Sequence, residues 1–216
     1  MTPYFDRDGI VIYNARCEDV LPSIDPATVD LLLTDPPYGI NLDTDYAQMK
    51  YEGGGPGKVY ASVAADDAPF DPVHLLTFGR CVVWGANNFS DKLPAGRWLT
   101  WDKVNPHPFQ AAAELAWHNC GGRSVDVFRQ SVAFTKAKDG AVHPTQKPVG
   151  LMRWIIDKWT KPGDLVLDPY MGSGPVAQAC HELGRRYIGI ELVEDYCKVA
   201  VSRLAQQTLD LSGGAA

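Results

Sequence analysis

The 216-residue chain has no CxxC pair, no cluster of histidines and no apolar run near the roughly 20 residues of a membrane helix. Its five cysteines (17, 81, 120, 180 and 197) are odd in number and cannot all pair. Free thiols in a reducing cytoplasm are therefore expected. The five histidines are scattered, and "HNC" at 118–120 lacks zinc-site spacing, so no metal is expected. The first ten residues, "MTPYFDRDGI", show no basic stretch leading into an apolar one, so neither a signal peptide nor a membrane partner is expected. The chain also lacks an excess of positive charge, with 20 basic against 26 acidic side chains and a net charge of −6.

That deficit argues against a nucleic-acid partner until its distribution is considered. Residues 1–91 carry 5 basic and 14 acidic side chains, residues 92–161 carry 11 and 5, and residues 162–216 carry 4 and 7. A basic middle inside an acidic chain fits either one positive face toward phosphates or a mixed solvated surface. With 45% hydrophobic residues, the chain is expected to form a single domain over 1–216.

Strand-like runs occur at 10–15, 29–35, 81–86, 97–103, 114–119, 131–136, 164–169 and 187–192. Continuous apolar stretches such as "VDLLL" and "LVL" suit strands covered on both faces of a parallel sheet. Helical periodicity lies between and after them. Met152, Ile155, Ile156 and Trp159 share one face, as do Tyr196, Val199, Ala200 and Leu204, while "GPVAQACHELG" has Pro and Gly at its two ends. The pattern predicts an α/β sheet with helices on both faces, antiparallel in part because 97–136 shows strands without intervening helices. Residues 41–60 and 136–148 read as loops.

Three motifs carry chemistry. "TDPPYGI" (34–40) follows an apolar strand, where ligands of α/β sheets bind. Each proline fixes its own φ and biases the residue before it toward extended backbone. Asp35-Pro36-Pro37 is thus a stiff corner offering acceptors only, with Tyr38 as a flat face beside it. Such a corner suits an exocyclic amine on a ring. The carboxylate and the Pro36 carbonyl accept its two hydrogens, and the freed lone pair attacks an electrophilic methyl.

"LVLDPYMGSGPVA" is a strand, an Asp, a Gly-rich turn and a helix start, with Glu191 closing the next strand. Gly172, Gly174 and Ala177 match a dinucleotide fingerprint, which leaves an NAD-dependent oxidoreductase as an alternative. Asp168 argues against it, because a carboxylate beside that turn repels a pyrophosphate and welcomes the cation of S-adenosylmethionine. The third motif, "HPTQKP" (143–148), supplies His143 and Thr145 as hydrogen-bonding groups and Lys147 as a partner for a carboxylate.

Taken together, "DPPY", "HPTQKP" and "DPYMGSG" in that order, followed by "GIEL", resemble the beta class of DNA amino-methyltransferases over residues 9–205. The order, with the catalytic motif first, differs from that usual in ribosomal RNA and protein methyltransferases. The resemblance implies a Rossmann-like seven-stranded methyltransferase sheet, S-adenosylmethionine at the strand ends and a base flipped out of double-stranded DNA. It assigns Asp35, Pro36, Pro37 and Tyr38 to the base. Asp168, Tyr170, Gly172, Ser173, Gly174 and Glu191, with His143, Thr145 and Lys147, fall to the cofactor. Asp before "PPY" leans toward adenine N6 over cytosine N4. The remaining alternative is a DNA-binding protein of the same fold without activity.

The chain departs from the family's pattern in three places. Arg16 stands where relatives place an Asp toward the cofactor's adenine, Pro175-Val176 replaces two threonines after "GSG", and Tyr170 replaces Phe. A short recognition insertion is expected around 120–142, with Arg123, Arg129, Lys136 and Lys138 toward phosphates or guanine edges. So small a region suits a short target or a homodimer sharing the DNA. The 41–60 loop is expected to close over the flipped base.

Overall fold

The computed structural model of the chain describes residues 1–41, 66–104, 106, 111–134 and 146–212. Its strands are β1 (Phe5–Arg7), β2 (Ile10–Asn14), β3 (Leu31–Thr34), β4 (Cys81–Trp84), β5 (Arg97–Asp102), β6 (Ala113–His118), β7 (Val125–Arg129), β8 (Leu165–Asp168) and β9 (Arg186–Glu191). Its helices are α1 (Cys17–Val20), α2 (Val149–Trp159), α3 (Pro175–Leu183) and α4 (Glu194–Ser212). Among the described residues these strands form one sheet in the order β1-β2-β9-β8-β3-β4-β6-β5-β7. Only β1 and β6 run antiparallel to their neighbours.

The expected mostly parallel sheet is present, but with nine strands among the described residues where seven were expected. Both additions are edges. β1 joins β2 through Asp8-Gly9, both at positive φ (54° and 78°), as a two-residue hairpin turn of primed type requires. β7 lies at 125–129, whereas the sequence reading placed a strand at 131–136. Residues 131–134 form none, and 135–136 lie outside the described residues. The cause is an inverted pattern, with Val125 and Val127 about half exposed and Asp126 buried against Lys158.

Alternation along β3 divides the core. Leu31 and Leu33 pack on one face with Met152, Ile155 and Ile156 of α2, Val176 and Cys180 of α3, and Cys197 and Leu204 of α4. Leu32 points the other way, toward Leu75, Phe78, Val83 and Phe89, under the 3-10 turn Val73–Thr77. The short α1 adds Cys17 and Val20 against Ile190. Long helices thus cover one face, while α1 and 3-10 turns cover much of the other. Full burial of each Leu, Ile or Met contributes about 1.5–3 kcal/mol, so the α2 stripe is a major clamp on the sheet. No described helix is long and apolar enough to cross a membrane.

This topology positions the site in two ways. Strands β2, β9, β8, β3 and β4 are mutually parallel, so their carboxyl ends share one rim. β6 runs the other way, so its first residues reach that same rim.

Candidate active site

A cavity of ≈ 190 Å³ opens along the rim and is lined by Asp35, Pro36, Pro37, Tyr38, Lys147, Asp168 and Glu191, among others. On one side is the proline-stiffened corner after β3. Tyr38 Oη donates to Asp35 Oδ1 at 2.6 Å, and Lys147 Nζ donates to Asp35 Oδ2 at 2.5 Å and to Tyr38 Oη at 3.2 Å. The Tyr38 ring lies on the backbone of Gly85, where an added Cβ would stand 1.9 Å from ring carbon Cε1. Gly85 also has φ +67°, so glycine is required there on two counts. Beyond the corner, Asp66 Oδ1 accepts from Gly39 N at 2.7 Å and from Ile40 N at 3.3 Å, tying down the exit of the turn.

Asp35 begins a chain of alternating charge. Lys147 Nζ reaches Glu114 Oε2 at 2.9 Å, and Lys103 Nζ reaches Glu114 Oε1 at 2.6 Å. The Lys147 side chain is 2% exposed, whereas Asp35 keeps 26% exposure through the cavity. Burial works to discharge Lys147, but Asp35 and Glu114 outweigh it and hold the ammonium well above the ordinary lysine value. Burial would raise Glu114 too, yet Lys147 and Lys103 pull it below the usual carboxylate range. Asp35 ends above that range, because burial outweighs the pull of Lys147. A carboxylate raised in this way is a better proton acceptor.

The other side of the cavity is built by β8, β9 and the turn between β8 and α3. Asp168 Oδ1 accepts from Thr34 Oγ1, the last residue of β3, at 2.7 Å and from Tyr170 N at 3.2 Å. Tyr187 Oη donates to Asp168 Oδ2 at 3.4 Å. Burial pushes this carboxyl up to about 7, with further contributions from the Asp35 and Glu191 charges. Glu191 grips the glycine turn, accepting from Gly172 N at 2.8 Å and from Val193 N at 2.7 Å. Gly174, in left-handed backbone before Pro175, lets α4 approach, since a Cβ there would stand 2.7 Å from Ala200 Cβ. Arg203 donates to the Ser173 carbonyl at 3.0 Å and to Gln146 Oε1 at 2.9 Å, closing the turn against the loop before α2.

Asp35 and Asp168 therefore face one cleft, joined through the neighbouring strands β3 and β8. Lys147, expected toward a cofactor carboxylate, has its ammonium turned to Asp35, Tyr38 and Glu114 instead. His143 and Thr145, like the 42–60 part of the glycine-rich loop and Lys136 and Lys138, lie outside the described residues. Tyr170 Oη meets Cys17 Sγ at 3.2 Å and His74 Nε2 at 3.0 Å. Arg16 lines the cavity but pairs only loosely, at 3.5 Å, with Glu18. Sequence reasoning missed Glu114, Trp84, Gln146, Asp66 and Gly85. Gln146 stands inside the quoted "HPTQKP", and Glu114 opens a predicted strand. The others carry no local signal. Two donors on the cavity wall, Trp84 Nε1 and Gln146 Nε2, are buried without a hydrogen-bond partner among the described residues.

The model of the N6/N4 DNA methylase family matches residues 117–202, a stretch that holds "HPTQKP", "DPYMGSG" and "GIEL" but not Asp35. The type II methyltransferase M2.LlaDCHI of Lactococcus lactis subsp. cremoris is 26% identical, over 94% of this chain and 91% of its own, and so spans the "DPPY" corner too. The chain is thus similar to N6/N4 DNA methylases, by the family model over its C-terminal part and by the type II methyltransferase over nearly all of its length. Solved structures agree on the fold of this chain. The M1.HpyAVI–SAM complex has a TM-score of 0.56 at 23% identity, over 90% of this chain and 99% of that one. The cytosine-N4-specific PvuII DNA methyltransferase has a TM-score of 0.62 at 15% identity, over 93% and 88%.

Proposed function

We propose that the protein transfers a methyl group from S-adenosylmethionine to the exocyclic N6 of an adenine flipped out of double-stranded DNA. The observation that carries this reading is the single cleft onto which the Asp35 corner and the Asp168 pocket both open. The donor set fits the cofactor. Asp168 offers a carboxylate to a cation, Glu191 stands where a ribose diol is met, and Gln146 Nε2 is a buried donor without a partner among the described residues. When bound, S-adenosylmethionine supplies an electrophilic methyl on a sulfonium sulfur.

The remaining chemistry belongs to the chain. Lys147 and Tyr38 use two of the roughly four lone-pair positions of the Asp35 carboxylate, leaving others for an amine hydrogen. The Pro36 carbonyl accepts the second hydrogen, which draws the nitrogen out of conjugation. With the cofactor bound, the methyl's bond to sulfur would break, leaving a neutral thioether, as the N–C bond forms, and Asp35 would take the proton that the nitrogen loses. Flipping the base costs a few kcal/mol, which stacking on Tyr38 offsets by about 1–3 kcal/mol. Arg123 and Arg129, exposed near β7, reach phosphates or guanine edges. Nucleoside analysis of treated duplex DNA should yield N6-methyladenine. N4-methylcytosine alone would replace adenine by cytosine as the target.

Asp168 gives this reading a pH dependence. Its folded carboxyl titrates near 7, well above an unfolded aspartate, so the protonated form favours the fold. That contribution is complete below the unfolded value and is lost as pH rises through about 7. A cation bound beside Asp168 relieves the resulting strain. Cofactor affinity, measured by calorimetry at about pH 6 and about pH 8, should therefore rise with pH, and Asp168→Asn should flatten the dependence. Equal pH dependence in both proteins would remove Asp168 from the binding site.

A further inference from the structure

We infer that Lys147 and Glu114 form a positioning pair for the transfer, Lys147 holding Asp35 as an acceptor aimed into the cleft and Glu114 holding Lys147 in place. The inference rests on the methyl-transfer reading of the site. Its ground is geometric. The Lys147 ammonium sits between two carboxylates, 2.5 Å from Asp35 and 2.9 Å from Glu114, and over two aromatic rings. The ring centroids of Trp84 and Tyr38 lie 5.6 and 5.9 Å away. Moving Lys147 toward a ligand elsewhere would leave Asp35 without its counter-charge and Glu114 with Lys103 alone, which is strongly unfavourable in a largely desolvated site.

The pair answers a chemical need. A desolvated carboxyl tends to keep its proton, and a protonated Asp35 would present a donor to the amine instead of an acceptor. The adjacent cation opposes this and helps Asp35 release the proton it gains in each turnover. Glu114 reaches the site only because antiparallel β6 starts at the rim where the parallel strands end. Lys103, from the end of β5, closes the row as two cations and two anions. Among the described residues, the charged and titratable groups facing Asp35 are thus Lys147 from the loop before α2, Glu114 from β6, Tyr38 from its own turn and Asp168 from β8.

The test compares wild type, Lys147→Met, Glu114→Gln and the double variant, reading the pH profile of kcat on duplex DNA and the calorimetric Kd of S-adenosylmethionine. Lys147→Met should lower kcat by about 10²–10³-fold and move the acid limb to higher pH. Its cofactor Kd should stay within about twofold of wild type. Glu114→Gln should move the limb the other way, because it removes an anion that disfavours ionised Asp35. If Lys147→Met does not fold, the double variant, which removes one charge of each sign, carries the test, and its limb should still lie above that of wild type. A large loss of cofactor affinity with an unmoved limb would make Lys147 a cofactor ligand and overturn the inference. Limbs unmoved in all variants would reduce the pair to a structural role. A wild-type protein that binds cofactor and DNA but transfers nothing would overturn the methyl-transfer reading beneath it.

Discussion

Asp35→Ala is expected to lower methyl transfer to duplex DNA by about 10³-fold or more while S-adenosylmethionine still binds. The split follows from the geometry. Asp35 stands on the β3 side of the cleft, whereas Asp168, Glu191 and the glycine turn are held by bonds that do not involve it. The substitution removes the carboxylate acceptor of the corner, which in the proposed mechanism also takes the amine's proton. The fold should survive, because Lys147 keeps Glu114 as a counter-charge. Single-turnover transfer of a labelled methyl, with calorimetry of cofactor binding, reads both halves. Turnover at the wild-type rate would take Asp35 out of the mechanism. Lost cofactor binding would mean that the two sides of the cleft are not separable.

Gly85→Ala should impair both transfer and stability, although Gly85 bears no chemistry. A Cβ at this position would stand 1.9 Å from the Tyr38 ring, so the ring must leave its place. The residue also holds φ +67°, which costs an alanine about 1–2 kcal/mol. Displacing the ring breaks the bond from Tyr38 Oη to Asp35 Oδ1 and moves the stacking face. Transfer should fall by about 10²-fold, with a loss of stability of about 1–3 kcal/mol. Chemical denaturation and the rate of transfer at saturating cofactor measure the two effects. Wild-type values for both would show that Tyr38 does not depend on the Gly85 backbone.

The parts of this arrangement legible in sequence are those whose physics is local. "DPPY" declares a stiff acceptor corner through proline geometry alone, and "LVLDPYMGSG" declares a strand, a turn and a helix start. The helical stripes of α2 and α4 follow from side-chain spacing, as does the buried run of β3. The rest depends on which segments meet. Glu114 reads as an ordinary polar residue at a strand start until β6 is seen to enter the sheet backwards and deliver it to Lys147. Lys147 itself is misleading in sequence, because a lysine inside "HPTQKP" fits an external carboxylate as well as an internal one. Gly85 has no motif, and its need for glycine arises from a tyrosine 47 positions earlier in the chain. Strand β7 was misplaced because its valines face outward, against the usual alternation. The basic middle of the sequence is similarly dispersed by the fold. Lys103 and Lys147 are buried in ion pairs, and Arg153 and Lys158 are paired with Glu182 and Asp126.

The account centres on two carboxylates serving one cleft, the first receiving an amine and the second a sulfonium cofactor. A crystal structure of the protein with S-adenosylhomocysteine measures this most directly. The ligand should lie along the ends of β8 and β9, its ribose at Glu191 and its sulfur between Asp168 and Asp35. A ligand bound away from that rim, or with its sulfur shut off from Asp35 by intervening protein, would contradict the account.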